Sequence, residues 1–151
     1  AMLQHQAIIG GEESGGTGFG HYLPERDALL MAISLLEARR AAGIQLSEMV
    51  SALYDKYGRR FFVHRDFRTA GSTNDEDQPG LMEKLERLSD LAGDRGDEVS
   101  TIDGCKLITG HGWLLVRPSG TEPLVRMYAD ADSESRTSAY IQVGQTALGL
   151  E

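Results

Sequence analysis

The stretch from residue 99 to residue 129 constrains this chain most, because it holds four short apolar runs separated only by turn residues. Residues 99–102 and 105–109 flank Asp103 and Gly104, a pair suited to a two-residue hairpin turn. Residues 113–117 and 124–129 flank a loop at 118–123. Strands joined this closely pair antiparallel, since a parallel connection needs a dozen residues or more. Helical patterns surround the run. Residues 25–42 follow Pro24 and end at Gly43; residues 46–57 carry Met49, Val50, Leu53 and Tyr57 at helical spacing, with Ser47 as a cap. Residues 79–92 place Leu81, Leu85, Leu88 and Leu91 four and three apart, and residues 133–148 put Ala139, Val143 and Ala147 on one side. A further strand is expected at 60–69 and a polar loop at 71–78. The expected fold class is therefore α+β: an antiparallel sheet flanked by helices over 44–151.

Residues 1–43 read differently. A strand at 6–9 runs into a loop with six glycines between Gly10 and Gly20, and then into the helix at 25–42. One strand and one helix are too little for an independent core, so this part reads as a strand-loop-helix remnant of an α/β domain. Residues 28–36 are apolar all round except Ser34, and such a helix wants cover on more than one face. Self-association, or packing against the second domain, would supply it.

The formal net charge of −8 opposes binding to nucleic acid. No apolar run reaches the roughly 18 residues of a membrane span. The start, with Leu3, Gln4 and His5 after Met2, does not read as a basic-then-apolar leader. Cys105 is the single cysteine, so it has no disulfide partner within the chain, and it reads as a packed strand residue. Cytoplasm is the expected location. His5, His21, His64 and His111 show no paired ligand spacing, so no metal site is expected on them. Trp113 reads as core at a strand start, and Gly93 to Asp97 as a turn before a strand.

The chemistry-bearing segment is Arg117-Pro118-Ser119-Gly120-Thr121-Glu122-Pro123-Leu124-Val125-Arg126. Two arginines flank a tight turn containing two hydroxyls and a glycine. Gly120 lets successive backbone N–H groups converge on one point. Ser119 and Thr121 add hydroxyl donors, and each guanidinium offers a planar fork matched to phosphate oxygens. Between Trp113 and Tyr128 the charged residues sum to +1 within an acidic chain. An anion site fits this contrast; a hairpin turn with incidental arginines fits the spacing equally well.

The run GWLLVRPSGTEPLVRMYAD at 112–130 resembles the phosphate-binding loop and flanking strands in the last domain of α-D-phosphohexomutases, the phosphoglucomutases and phosphomannomutases. Upstream, 101–106 continues the likeness. GGEESGG at 10–16 is similar to the sugar-recognition loop of that family's third domain, and the two motifs stand in the family's order. The resemblance implies a division into 1–43, from the third domain, and 44–151, the fourth, the latter resembling the TATA-box-binding-protein-like last domain of that family, an antiparallel sheet flanked by helices. It implies that Arg117, Ser119, Gly120 and Thr121, assisted by Arg126, hold the phosphate that is not being transferred. Glu12 and Ser14 would hydrogen-bond sugar hydroxyls.

The resemblance further implies a mutase interconverting hexose 1-phosphate and hexose 6-phosphate through a bisphosphorylated intermediate. Its substrate would be a glucose or mannose phosphate, and the Glu-Glu-Ser-Gly-Gly form leans toward phosphoglucomutase-like members. The family's phosphoserine loop and its Asp-Gly-Asp-Gly-Asp metal loop do not occur in the sequence. The nucleophile and the Mg2+ implied for the complete enzyme would therefore lie in N-terminal domains outside this chain, leaving no catalytic residue here and no activity in the isolated piece. A stand-alone, non-catalytic phosphosugar- or anion-binding module is the alternative reading.

Overall fold

The computed structural model describes residues 2–12, 15–69, 80, 83–85, 87–88, 90–120 and 122–150. The expected loop at 71–78 lies outside the described residues, as do Pro79 and Leu81. The chain forms two compact units, Ala1–Lys56 and Tyr57–Glu151. The sequence-based division at 43/44 differs from this one by a single helix. That helix follows its predecessor after a three-residue link in which Arg39 Nη2 donates to Gln45 Oε1 at 3.0 Å.

The first unit contains α1 (Met2–His5), β1 (Ile9–Gly11), β2 (Thr17–Phe19), α2 (Ala28–Ala42) and α3 (Leu46–Tyr57). Two expectations need correction at its start. The strand lies at Ile9–Gly11 instead of 6–9, and the glycine-rich segment is not all loop, because Thr17–Phe19 returns to pair antiparallel with Ile9–Gly11. Gly10 faces Gly18 in this hairpin. Glycines carry no hydropathy alternation, so the pairing left no mark in the pattern. Helix α2 begins three residues later than expected. Asp27, and not the Pro24 region, caps it: the Leu30 N–H donates to Asp27 Oδ1 at 2.8 Å. Gly43 closes it in the left-handed conformation, as anticipated. At α3 the cap is not Ser47. Glu48 reaches back to the Gln45 N–H at 2.7 Å, the return half of a capping box. Neither α2 nor α3 has a buried residue.

The second unit contains β3 (Phe61–Arg68), β4 (Asp90–Leu91), β5 (Asp94–Ser100), β6 (Cys105–Thr109), β7 (Gly112–Pro118), β8 (Leu124–Ala131) and α4 (Glu134–Leu148). They form an antiparallel six-stranded sheet of order β3-β8-β7-β6-β5-β4 with helix on one face, the α+β architecture expected. The core lies between sheet and helix. Leu107, Leu114, Val116, Val125, Met127 and Ala129 meet Tyr140 and Ile141, and Cys105 is buried among them.

Three readings in this unit are revised. The helix expected at 79–92 gives way to strand at Asp90–Leu91. Ala92 (φ 54°) and Gly93 (φ 91°) make a two-residue turn with both central φ positive, and the Gly93 N–H donates to Asp90 Oδ1 at 3.1 Å. A leucine period covering strand and helix alike concealed this hairpin. The β5–β6 connection is longer than the two residues expected at Asp103 and Gly104, since Ser100 pairs with Lys106 and Ile102 is exposed between them. The buried face of α4 is Thr137, Tyr140, Ile141 and Gly144, whereas Ala139, Val143 and Ala147 sit at its half-buried flank. Tyr140 sets that rotation. Its hydroxyl donates to Asp94 Oδ2 at 2.6 Å and lies 2.9 Å from Thr109 Oγ1.

Candidate functional site

Strand alternation gives β7 and β8 one apolar face and one open face. Val116 and Val125 are buried against the helix side, while Arg117 and Arg126 fall on the other. In the β7–β8 ladder Arg117 and Arg126 are direct partners, so their side chains start from adjacent positions on one face beside the turn. Like charges placed directly opposite repel. Nearby carboxylates offset this: Arg117 Nη1 meets Asp103 Oδ2 at 2.8 Å, and Arg126 Nη2 meets Glu122 Oε2 at 3.5 Å. Arg126 Nε is nonetheless buried with no hydrogen-bond partner among the described residues, a costly state for a charged donor.

The turn itself is braced from within. The Ser119 N–H donates to the Leu124 carbonyl at 2.9 Å, and the Glu122 N–H donates to Ser119 Oγ at 3.3 Å. Ser119 is buried. These two amides are therefore engaged in the turn, which corrects the picture of a row of N–H groups all converging on a ligand. Gly120 does not adopt a positive φ, and an added Cβ would meet nothing within 4 Å. The fold places no steric demand for glycine there; the bare backbone leaves room for close approach from outside. Thr121 lies outside the described residues.

The open face continues beyond the arginines. His64 stacks on Tyr128 with centroids 4.5 Å apart, and its Nε2 lies 2.8 Å from Asp66 Oδ1. Trp113 is on this face, half-exposed, beside Phe62 and beneath the Lys106 ammonium 4.1 Å from its ring. The expectation of a core tryptophan is overturned by the register, since Trp113 alternates with buried Gly112 and Leu114.

The first unit carries the second motif. The Glu12 N–H donates to the Gly16 carbonyl at 2.8 Å and the Gly15 N–H to the Glu12 carbonyl at 3.0 Å, closing a tight loop. Ser14 lies outside the described residues. Glu12 Oε2 accepts from Arg26 Nη1 at 3.1 Å. That contact holds the Arg26 guanidinium above its ordinary pKa, and Arg26 in turn holds the Glu25 carboxyl below its own. A cleft of about 320 Å³ lies between Gly11, Glu12, Gly16, Pro24 and Arg26. Reading the sequence missed Arg26, Asp103 and Glu122. Arg26 resembles an ordinary helix-start residue, and its backbone is placed by a β-bridge to Gly18 that is invisible along the chain.

Among the described residues no group of three or more His, Cys, Asp or Glu side chains is arranged to hold a metal ion. Asp94, within the segment that superficially resembles an aspartate-rich metal loop, is engaged instead by Tyr140 and by Arg136 Nε at 2.6 Å. Those bonds, Tyr140's first, hold its carboxyl below the usual range. No helix among the described residues is long and apolar enough to cross a membrane.

Comparison with known proteins finds one family along both parts of the chain. The family model for the phosphoglucomutase/phosphomannomutase alpha/beta/alpha domain III matches residues 1–57, and the model for the C-terminal domain of the same family matches residues 73–142. A phosphoglucomutase/phosphomannomutase of Thermococcus kodakarensis is 32% identical over 95% of this chain and 29% of its own length. A phosphoglucosamine mutase of Bacillus subtilis is 30% identical over 100% of this chain and 30% of its own. Among solved structures, a Thermus thermophilus protein assigned as a phosphomannomutase superposes with a TM-score of 0.69 at 30% identity, covering 98% of this chain and 28% of that one. The chain thus spans under a third of the length of these relatives.

Proposed function

This chain belongs to the phosphoglucomutase/phosphomannomutase family, and on that premise we propose that it supplies two substrate-holding elements to an intramolecular phosphotransferase interconverting hexose 1-phosphate and hexose 6-phosphate. In this reading Arg117, Ser119, Gly120, Thr121 and Arg126 clamp the phosphate that is not being transferred. Glu12 and Ser14 read sugar hydroxyls. The unit Ala1–Lys56 acts as part of the sugar-recognition domain, and Tyr57–Glu151 as the phosphate-binding domain.

The observation that carries the reading is the facing pair Arg117 and Arg126, with Arg126 Nε buried and unpartnered among the described residues. Two guanidiniums held opposite each other on one face offer convergent N–H donors, which a tetrahedral dianion satisfies at once. Arg117 pairs with Asp103 at 2.8 Å; a bound phosphate would take the place of that carboxylate. A bisphosphorylated hexose that reorients between half-reactions presents a phosphate at either end to the same clamp. The clamp contributes positioning. The phosphoryl transfer also needs an in-line nucleophile and charge neutralisation, the latter supplied by a divalent metal such as Mg2+ held outside the described residues. The isolated chain is accordingly expected to bind without turnover.

The substrate is a hexose phosphate of the glucose, mannose or glucosamine type, in line with the names of the relatives. The test is steady-state kinetics of the complete enzyme carrying Arg117→Ala or Arg117→Lys. Loss of the charge-assisted contact should cost about 1.5–3 kcal/mol, toward the lower end because the side chain is partly exposed. Lysine should restore part of it, since a point charge does not replace the fork. Unchanged kcat/KM in a correctly folded Arg117→Ala enzyme would remove the loop from the phosphate site. Phosphate binding by an otherwise complete protein that shows no mutase turnover would favour the non-catalytic module.

A further inference from the structure

Glu12 does not stand alone in its loop. Arg26 is held on β2 through its bridge to Gly18, and the Asp27 N–H donates to the Thr17 carbonyl at 3.0 Å. From that fixed base its side chain passes over Gly16 to reach Glu12 Oε2 at 3.1 Å, while its Nε lies 3.5 Å from Glu25 Oε1. The passage depends on Gly16. A Cβ there would sit 2.8 Å from Arg26 Cδ and 2.9 Å from Glu12 Oε2, inside van der Waals contact with both partners. Gly16 does not have a positive φ, so its backbone does not call for glycine; the crossing side chains do.

Stability does not explain this arrangement. The Arg26 and Glu12 side chains are 63% and 45% exposed, and ion pairs this open contribute little to folding. What the pair does accomplish is geometric. An isolated glutamate in a glycine-rich loop samples many rotamers, and the guanidinium fixes one of them at the wall of the 320 Å³ cleft.

We propose that Arg26 is the positioning residue for Glu12, and that Gly16 is the opening through which the two side chains meet. The inference rests on the reading of Glu12 as a ligand of sugar hydroxyls. It predicts that this chain's sugar loop works as a Glu-Gly-Arg set, in which residue 16 must remain without a side chain.

The experiment is steady-state kinetics of the complete enzyme with glucose 1-phosphate, mannose 1-phosphate and glucosamine 1-phosphate, for Arg26→Ala, Arg26→Lys, Gly16→Ala, Glu12→Ala and the double variant Arg26→Ala/Glu12→Ala. A misplaced substrate-contacting group lowers kcat/KM by up to about a hundredfold, so Arg26→Ala should lower it about ten- to a hundredfold, chiefly through KM. Gly16→Ala should act in the same direction with an unchanged melting temperature, because only flexible side-chain ends must move aside. Arg26→Lys should recover part of the loss. On the Glu12→Ala background, Arg26→Ala should cost nothing further, which is the mark of a residue acting through Glu12. Full kcat/KM in Arg26→Ala, or an equal loss with and without Glu12, overturns the positioning role even while Glu12→Ala is impaired. Full activity in Glu12→Ala overturns the sugar-ligand reading itself, and the inference with it. Arg26→Gln, which keeps the stem, takes the place of Arg26→Ala if the alanine variant melts early.

Discussion

The two units of this chain are built on opposite terms. In Tyr57–Glu151 a continuous core joins five of the six strands to α4, with Val125, Met127 and Ala129 fully buried. In Ala1–Lys56 only Thr17 and Gly18 are buried among the described residues, while Leu29, Ile33 and Leu36 of α2 are exposed along one stripe. The second unit therefore holds the Arg117–Arg126 turn on a self-supporting scaffold. The first holds the loop closed by Glu12 and Gly16 through hairpin pairing and local ion pairs, and its apolar helix presents an exposed stripe. Sites built on packed strands are more rigidly placed than sites on loops, so the arginine pair is held by the core, whereas Glu12 depends on its local contact with Arg26.

The sharpest test of that contrast is core truncation. Leu114→Ala, at 2% exposure between sheet and helix, should lower the unfolding free energy by about 2–5 kcal/mol in urea titrations. Leu29→Ala, at 72% exposure, should change it by no more than about 0.5 kcal/mol. Equal losses at the two positions would mean that α2 is packed in solution and that the contrast is false.

A second test uses pH, because the second unit carries a partly buried polar clasp between β5 and α4. Asp94 is depressed below its ordinary value of 3.8, first by the Tyr140 hydroxyl and then by Arg136. Its contribution is present above the unfolded carboxylate pKa and disappears as pH falls through the depressed folded value. Tyr140 is pushed up to about 12, first by burial and then by Asp94. Its contribution is present below pH 10.0 and fades as pH rises toward 12. Asp94→Asn should flatten the acid limb of the second unit's stability profile, and Tyr140→Phe the alkaline limb. Unfolding followed at Trp113, the single tryptophan, reports on this unit alone. Unaltered limbs would show that the clasp contributes nothing.

The smallest expected effect concerns association. If a second copy covers α2, light scattering should show weak, concentration-dependent dimerisation that Leu29→Glu combined with Leu36→Glu abolishes. Ile102→Glu, at a still more exposed position in the second unit, should leave it intact. A strict monomer at every concentration would leave the α2 stripe without a self-partner.

The two-strand turn carrying Arg117 and Arg126 was legible because its information is local. Apolar alternation on both sides of Arg117 to Arg126 marks two strands, and a turn between them brings its flanks together whatever the rest of the chain does. The facing of the two arginines follows from that turn. Other parts were illegible for equally physical reasons. The glycine-rich β1–β2 hairpin has no hydropathy period, and the leucine spacing at 85–91 suits a helix while its last member is in a strand. Trp113 is apolar, but its position between Gly112 and Leu114 in the ladder turns it to the open face.

By itself, then, the sequence determined the class of fold, the antiparallel run of strands and the family resemblance, since these depend on residues near one another along the chain. Tertiary structure alone decided which strand lies beside which, pairing β3 with β8 across some sixty residues, and which face of α4 is buried. It alone brought Arg26 over Gly16 to Glu12 and Asp103 to Arg117. Each of these contacts joins residues fourteen apart through a backbone that turns between them. Side-chain chemistry is written in the sequence, but the meeting of two side chains depends on the path of the backbone, which only the packed fold fixes.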